Sequence, residues 1–337
     1  MANNTLRGIA ERLVVPTKGI LAADESGSTI KRRFDAIGVE STEANRRTYR
    51  ELLFTAKNMN AYISGVILYD ETIKQNGANG TPLAKTLQDQ DVIIGIKVDG
   101  GLKPLPGSSV EQISEGLDGL SERLAQYAKL GAQFTKFRVV FTVGASTPTD
   151  RCIQDNAKTL ARYAVLSQAA GLVPMVEPEV LMEGPHSIQE CEDASRRVLA
   201  ETVYQLGREK VALDGLLVKT NMVLSGTEAK NRAGAEEVGE RTLATFRDTI
   251  PASVPGIVFL SGGQGDDEAT VNLNACVKEA KKLNAPWQVS FSYGRGLQAA
   301  PQKAWKGVAG NMEAAQKAFL ERSRLTSLAR QGKLPVE

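Results

Sequence analysis

The sequence predicts an α/β fold built as one closed (β/α)8 TIM barrel. Eight short apolar runs recur along the chain with helical patterns between them, and few Pro- or Gly-rich gaps interrupt the alternation. The rival architecture, an open doubly wound sheet, would want a Gly-x-Gly-x-x-Gly turn after its first strand, and none is present. A length of 337 residues suggests about two domains, but barrels often exceed that prior as a single unit. No low-complexity segment or polar linker divides the chain. The expectation is one domain over residues 1–337, with a short helix ahead of the barrel and a helical segment behind it that ends in a short tail.

The candidate strands, in order, are 19–24 (GILAAD), 65–70 (GVILYD), 92–98 (VIIGIKV), 133–139 (QFTKFRV), 172–177 (LVPMVE), 213–219 (LDGLLVK), 256–261 (GIVFLS) and 288–292 (QVSFS). Between the third and fourth, residues 109–130 read as one helix. Leu117, Leu120, Leu124 and Tyr127 follow helical spacing, Ser109 and Gln112 form a capping box, and Gly131 ends the run. Pro148 is expected to open the helix after the fourth strand, because proline suits a first helical turn.

Composition narrows the function classes. A net charge of +2 gives no whole-chain case for nucleic acid, so any positive field must be local. The three cysteines, Cys152, Cys191 and Cys276, are far apart and lack Cys-x-x-Cys spacing, which predicts reduced core thiols in a reducing compartment. No apolar run reaches membrane-spanning length, and the start, MANNTLRGIAERL, lacks the apolar stretch of a signal peptide. A cytoplasmic chain is expected, or a mature organelle form.

Strand alternation then gathers the polar residues. Side chains two apart share a face. Leu213, Gly215, Leu217 and Lys219 fall together, as do Lys136 with Arg138, Gly95 with Lys97, Met175 with Glu177, and Ala22 with Asp24. The seventh run ends at Ser261 and the eighth at Ser292. Each polar residue sits at the C-terminal end of its strand, where a barrel of this kind builds its active site. One charged residue at a strand end is ordinarily a solvated rim residue. Six from five strands, Lys97, Lys136, Arg138 and Lys219 against Asp24 and Glu177, converge on one volume, and the excess of cations predicts an anionic ligand.

The loops specify that anion. FLSGGQ (259–264) and FSYGRGLQ (291–298) follow the seventh and eighth strands, the usual phosphate position of the fold. Glycines there free backbone N–H groups for close approach. Ser261 adds a hydroxyl and Arg295 a forked cation. Ser26, Thr29 and Arg33 in DESGSTIKRR offer a second phosphate position. Lys219 is the remaining question, since an ammonium is costly to bury. A lysine among other cations can serve as a neutral amine and attack a carbonyl, with Lys136 as its expected neighbour and Glu177 placed to shuttle protons. The product is a Schiff base, an electron sink that needs no metal or other cofactor. The lone histidine, His186, cannot form the cluster a zinc site wants, and it is expected at the surface.

These residues resemble the class I fructose-1,6-bisphosphate aldolases. The resemblance runs from about residue 5 to residue 333 and rests on KGILAADES, RRTYRELL, GIKVD, EGLDGLSERLAQY, FTKFR, VPMVEPEVL, LLVKTNMV, FLSGGQ, VNLNA and SFSYGRGLQ. It implies that Lys219 forms the Schiff base, that Glu177 is the acid and base of carbinolamine dehydration, and that Asp24 assists proton transfer at the C4 hydroxyl. Lys136 would support that chemistry, with Arg138, Lys97 and Glu179 completing the polar network. Ser261, Gly262, Gly294 and Arg295 would take one phosphate, with Ser292 beside them. Ser26, Thr29 and Arg33 would lie toward the other, with Lys97 nearby. The implied partners are small sugar phosphates, with no nucleic acid and no membrane, and the implied assembly is a homotetramer. Many animal members of that family end in a tyrosine that takes part in the enamine proton step. Here the last tyrosine is Tyr293 and the sequence closes on QGKLPVE, so the resemblance leaves that step to another group. Two other readings stay open: a transaldolase-like Schiff-base enzyme acting on a sugar phosphate, and a sugar-phosphate-binding scaffold without catalysis.

Overall fold

The structure is a computed structural model that describes residues 5–335. Residues 1–4, and Val336 and Glu337 of the expected tail, lie outside the described residues. Eight parallel strands close into the expected barrel: β1 (Gly19–Ala23), β2 (Ile63–Leu68), β3 (Ile93–Lys97), β6 (Phe134–Phe141), β7 (Val173–Val180), β8 (Leu217–Thr220), β9 (Gly256–Phe259) and β10 (Gln288–Tyr293). Their residues are almost all buried, because helices cover the outside while side chains fill the inside. The helices around it are α2 (Gly27–Asp35), α3 (Glu43–Phe54), α4 (Asp70–Ile73), α5 (Leu83–Gln88), α6 (Leu120–Lys129), α7 (Asp150–Ala169), α8 (Ile188–Arg208), α9 (Ala235–Thr249), α10 (Asp266–Lys282) and α11 (Arg295–Trp305). The short helix α1 (Leu6–Leu13) precedes β1, and α12 (Met312–Arg330) follows the barrel. Among the described residues no helix is long and apolar enough to cross a membrane.

The core has two layers. The larger lies between sheet and helices. The smaller fills the barrel itself, where Ile20, Ile67, Ile93, Phe134, Met175, Leu217 and Val258 meet Ile9, Ala10, Leu13 and Val14 from α1 and the residue after it. α1 therefore plugs the N-terminal end. Phe134 needs room there, and a Cβ on Gly95 would stand only 2.2 Å from its ring, so β3 carries glycine at that point.

Several expectations need correction. Residues 109–130 are not one helix. Gly101–Pro104 (β4) and Gln112–Glu115 (β5) form an antiparallel hairpin, and α6 spans only Leu120–Lys129. Gly116 and Gly119 hold positive φ, which breaks the helix despite its apolar spacing, and Gln112 belongs to a strand rather than a cap. Pro148 stands before α7, not in its first turn. Thr149 is the N-cap, its hydroxyl accepting from the Cys152 amide. Leu213–Gly215 form a 3-10 turn rather than strand, because α1 lies against them and a Cβ on Gly215 would sit 2.8 Å from Leu6. His186 is buried rather than at the surface, in the loop after β7 whose backbone is tied to the loop after β8, as Gly226 N–H donates to His186 O. The cysteines are free and buried in α7, α8 and α10, and burial pushes their thiols up to about 11 for Cys191 and about 12 for Cys152 and Cys276.

Candidate active site

Parallel register lines up the polar residues at the C-terminal end of the barrel. Lys97 pairs across from Lys136, Arg138 from Glu177, and Val140 from Glu179. Since side chains alternate, Lys136 and Arg138 on β6 and Glu177 and Glu179 on β7 lie on one face. β7 is longer than the sequence suggested and carries both glutamates inside the strand. Asp24 and Ser261 fall just beyond β1 and β9 rather than within them.

A row of ion pairs results. Lys219 Nζ stands 3.1 Å from Glu177 Oε1. The other oxygen of Glu177 lies 2.8 Å from Lys136 Nζ, which lies 2.8 Å in turn from Asp24 Oδ2. Lys97 is paired with Asp99 at 2.6 Å, and Arg138 with Glu179. Lys219, Lys136 and Glu177 are buried. Lys136, the expected neighbour of Lys219, is held between two carboxylates. The structure thus sets four cations against four carboxylates, which removes the cationic excess expected from six residues. Such pairing is what a buried charge requires.

Electrostatics follow from that arrangement. Burial pushes the Asp24 carboxyl up, but Lys136, Lys219 and Lys97 outweigh it and hold the group well below its ordinary value. Burial likewise opposes ionisation of Glu177, and Lys136, Lys219 and Arg138 together bring it below the ordinary value. Lys136 is pulled down by burial and raised further by Asp24, Glu177 and Asp99, for a net rise. At neutral pH the row consists of two carboxylates bridged by the Lys136 ammonium, with the Lys219 nitrogen at its end.

The loop residues surround this row. Ser261 Oγ accepts from the Gly296 amide at 3.2 Å, and a Cβ on Gly262 would lie 3.2 Å from Glu179 Oε1, so backbone runs close to the carboxylates there. Gly294 occupies the N-cap position of α11. Arg295 Nη2 donates to Gln264 O at 2.6 Å. Ser292 is fully buried, and its hydroxyl has no hydrogen-bond partner among the described residues. Ser26 occupies the N-cap position of α2, its hydroxyl 3.2 Å from that of Thr29. The N-terminal ends of α2 and α11 carry the partial positive charge that suits an anion. Arg33 joins the two loop groups rather than serving one, since its Nη2 lies 3.6 Å from where a Cβ on Gly294 would be.

Sequence reasoning missed three groups that the structure builds in. Asp99 follows Lys97 by two, so strand alternation alone pointed to it. Glu25 sits between Asp24 and Ser26, and Arg50 lies in the quoted stretch RRTYRELL. They pair with each other at 3.2 Å.

Comparison with known proteins places the whole chain in one family. A family profile described as fructose-bisphosphate aldolase class-I, glycolytic, matches residues 5–337. A probable fructose-bisphosphate aldolase class 1 of Xanthomonas campestris is 48% identical over 335 residues, 99% of either chain. Fructose-bisphosphate aldolase C of Carassius auratus is 46% identical over 97% of this chain and 90% of its own. Among solved structures, a fructose-bisphosphate aldolase from Plasmodium falciparum, determined in complex with TRAP and a small-molecule inhibitor, superposes with a TM-score of 0.96 at 44% identity, covering 100% of this chain and 96% of that one. The profile spans nearly every residue and the relatives match end to end, so the chain belongs to the class-I fructose-bisphosphate aldolase family.

Proposed function

We propose that the chain cleaves fructose 1,6-bisphosphate reversibly to dihydroxyacetone phosphate and glyceraldehyde 3-phosphate through a Schiff base on Lys219. The observation that carries this reading is the contact of Lys219 Nζ with Glu177 at 3.1 Å, at the mouth of the barrel. Glu177 takes a proton from the Lys219 ammonium. The neutral amine adds to the C2 carbonyl and forms a carbinolamine. Protonated Glu177 returns its proton to the departing hydroxyl, water leaves, and an iminium remains. Asp24 accepts the proton of the C4 hydroxyl. The C3–C4 electron pair moves into the iminium, glyceraldehyde 3-phosphate leaves, and an enamine stays on Lys219. Asp24 is a weak base because Lys136 holds it ionised, so the iminium supplies the driving force as electron sink. The proton taken up by Asp24 passes through Lys136, which bridges the two carboxylates, to Glu177, and Glu177, the carboxyl in contact with Lys219, then delivers it to C3 of the enamine. Hydrolysis frees dihydroxyacetone phosphate.

Phosphate recognition falls to Ser261, Gly262, Ser292, Gly294 and Arg295 on one side and to Ser26, Thr29 and Lys97 on the other, with Arg33 between the two groups and its free end toward Gly294. The helix N-termini and the glycine-rich loops support that division. Arg138 and Glu179 brace the row. Family resemblance supports a single-domain chain acting as a cytoplasmic homotetramer, which sedimentation would check. The deciding experiment is borohydride reduction with dihydroxyacetone phosphate followed by peptide mapping. An adduct on Lys219 is the expected result, and a stable adduct on Lys136 or Lys97 would overturn the assignment. A substrate panel separates this reading from a transaldolase-like one.

A further inference from the structure

Glu25 lies between Asp24, which faces Lys136, and Ser26 at the start of α2, yet its side chain serves a different set of partners. It is buried, and its Oε1 meets Arg33 Nη1 and accepts from Gln298 Nε2 at 2.7 Å. Its Oε2 meets Arg50 Nη2 at 3.2 Å. The two guanidiniums differ sharply. The Arg50 side chain is 1% exposed, and it also donates to Glu25 O at 3.1 Å and to Thr72 Oγ1 at 2.9 Å. The Arg33 side chain is 22% exposed, and among the described residues its one hydrogen-bonded partner is Glu25. Its free end points toward the Gly294 turn that opens α11.

One carboxylate facing two guanidiniums leaves one positive charge over. The charge able to move is Arg33's, because Arg50 is enclosed and tied at three points. We propose that Glu25 and Arg50 are positioning residues that set the availability of Arg33 for a phosphate ester at the Gly294 turn. Arg50 keeps Glu25 paired when Arg33 is drawn away, so an incoming oxyanion competes with a carboxylate that already has a partner. Without Arg50, releasing Arg33 would leave Glu25 a buried charge with no cation, which is strongly unfavourable, and Arg33 would stay where it is. This rests on the reading of the chain as an enzyme of sugar bisphosphates.

The test is a double-mutant cycle on the full chain, read in two ways: Kd for inorganic phosphate by calorimetry, and KM and kcat for fructose 1,6-bisphosphate. Arg50→Met is expected to raise both Kd and KM about tenfold and to leave kcat within about threefold. Arg50→Lys should recover most of that loss. In an Arg33→Met background, Arg50→Met should add nothing to Kd, because its effect passes through Arg33. Additive losses, or a loss falling on kcat with KM unchanged, would overturn the proposal. If Arg50→Met fails to fold, Arg50→Lys carries the same cycle with a smaller rise in Kd, and a rise that persists without Arg33 overturns it. The phosphate titration needs no turnover. A wild-type chain that binds phosphate with the expected coupling but cleaves no bisphosphate would sink the functional reading and leave the inference standing.

Discussion

The two ends of the barrel are built from the same strands to opposite ends. At the N-terminal end, Leu13 and Val14 press into Ile67, Phe134 and Leu217, and a Cβ on Gly65 would lie 2.6 Å from Leu13. At the C-terminal end, Lys219, Glu177, Lys136 and Asp24 hold one another in pairs. The crossing from one regime to the other takes two residues on a single strand: Leu217 to Lys219 on β8, Met175 to Glu177 on β7, Ala22 to Asp24 at the end of β1. The apolar end supplies stability through burial, and the charged end holds reactive groups in place. Substitutions at the two ends should therefore separate into effects on stability and effects on rate.

The sharpest break is at Lys219. Lys219→Arg removes the amine nucleophile while keeping the charge, since guanidinium stays protonated. Cleavage should fall by about 10^4-fold or more, and the borohydride-trapped adduct should vanish while circular dichroism keeps the native signal. An adduct in that variant would place the chemistry elsewhere.

Glu177→Gln comes next, with kcat lowered by roughly 10^2 to 10^4-fold, the usual range for removing a proton-transfer group. The same variant should slow solvent exchange of the C3 hydrogen of dihydroxyacetone phosphate. Unchanged exchange, in a variant that still forms the Schiff base, would remove Glu177 as the enamine proton donor.

Leu13→Ala tests the other end. It opens a void in the plug and should cost about 2–5 kcal/mol of stability by denaturant unfolding, with kcat within about twofold. A rate loss comparable to that of Glu177→Gln would mean that the two ends do not act separately.

The smallest effect expected is on pH. Asp24 and Glu177 sit below their ordinary values in the folded chain, so the unfolded chain binds more protons around pH 4. Their contribution to stability is present above about pH 4.3 and is lost as pH falls through the folded values. Lys136 is raised, so its contribution is present below about pH 10.4 and is lost above its folded value. Between roughly pH 5 and 10 these groups should leave the unfolding midpoint flat. A slope traced to them near neutrality, by comparison with Asp24→Asn, would contradict the pairing.

Much of this was legible in the sequence because burial leaves a mark. A lysine closing LLVK has no cheap place in an apolar strand, and a Lys-x-Arg pair inside FTKFR must share a face. What was hidden is the matching of charges across elements. Glu25 follows Asp24 directly, but its partners Arg33 and Arg50 become apparent only when α2 and α3 are placed side by side. The second hairpin strand, Gln112–Glu115, reads as helix because Ser109 and Gln112 match a capping box ahead of the helical spacing of Leu117, Leu120, Leu124 and Tyr127, and that pattern does not disclose the backbone conformation of Gly116 and Gly119. His186 reads as a surface residue because it falls in the loop after the fifth strand, in the stretch EGPHSIQ. The tie between the loops after β7 and β8 is a backbone feature that no side-chain pattern reports.

In the proposed reaction, the contact between Lys219 and Glu177 has a consequence for the whole cycle that starts from the lysine ammonium. An ammonium and a protonated imine carry the same unit of charge on the same nitrogen. Glu177 therefore faces a cation before the substrate bonds to the chain and again once the imine has formed. Only the neutral amine, the carbinolamine and the enamine interrupt that. Because the Glu177 carboxylate already stands beside that nitrogen, little of the surroundings must reorganise as the imine forms. The resting enzyme is, in that sense, already solvating its own intermediate.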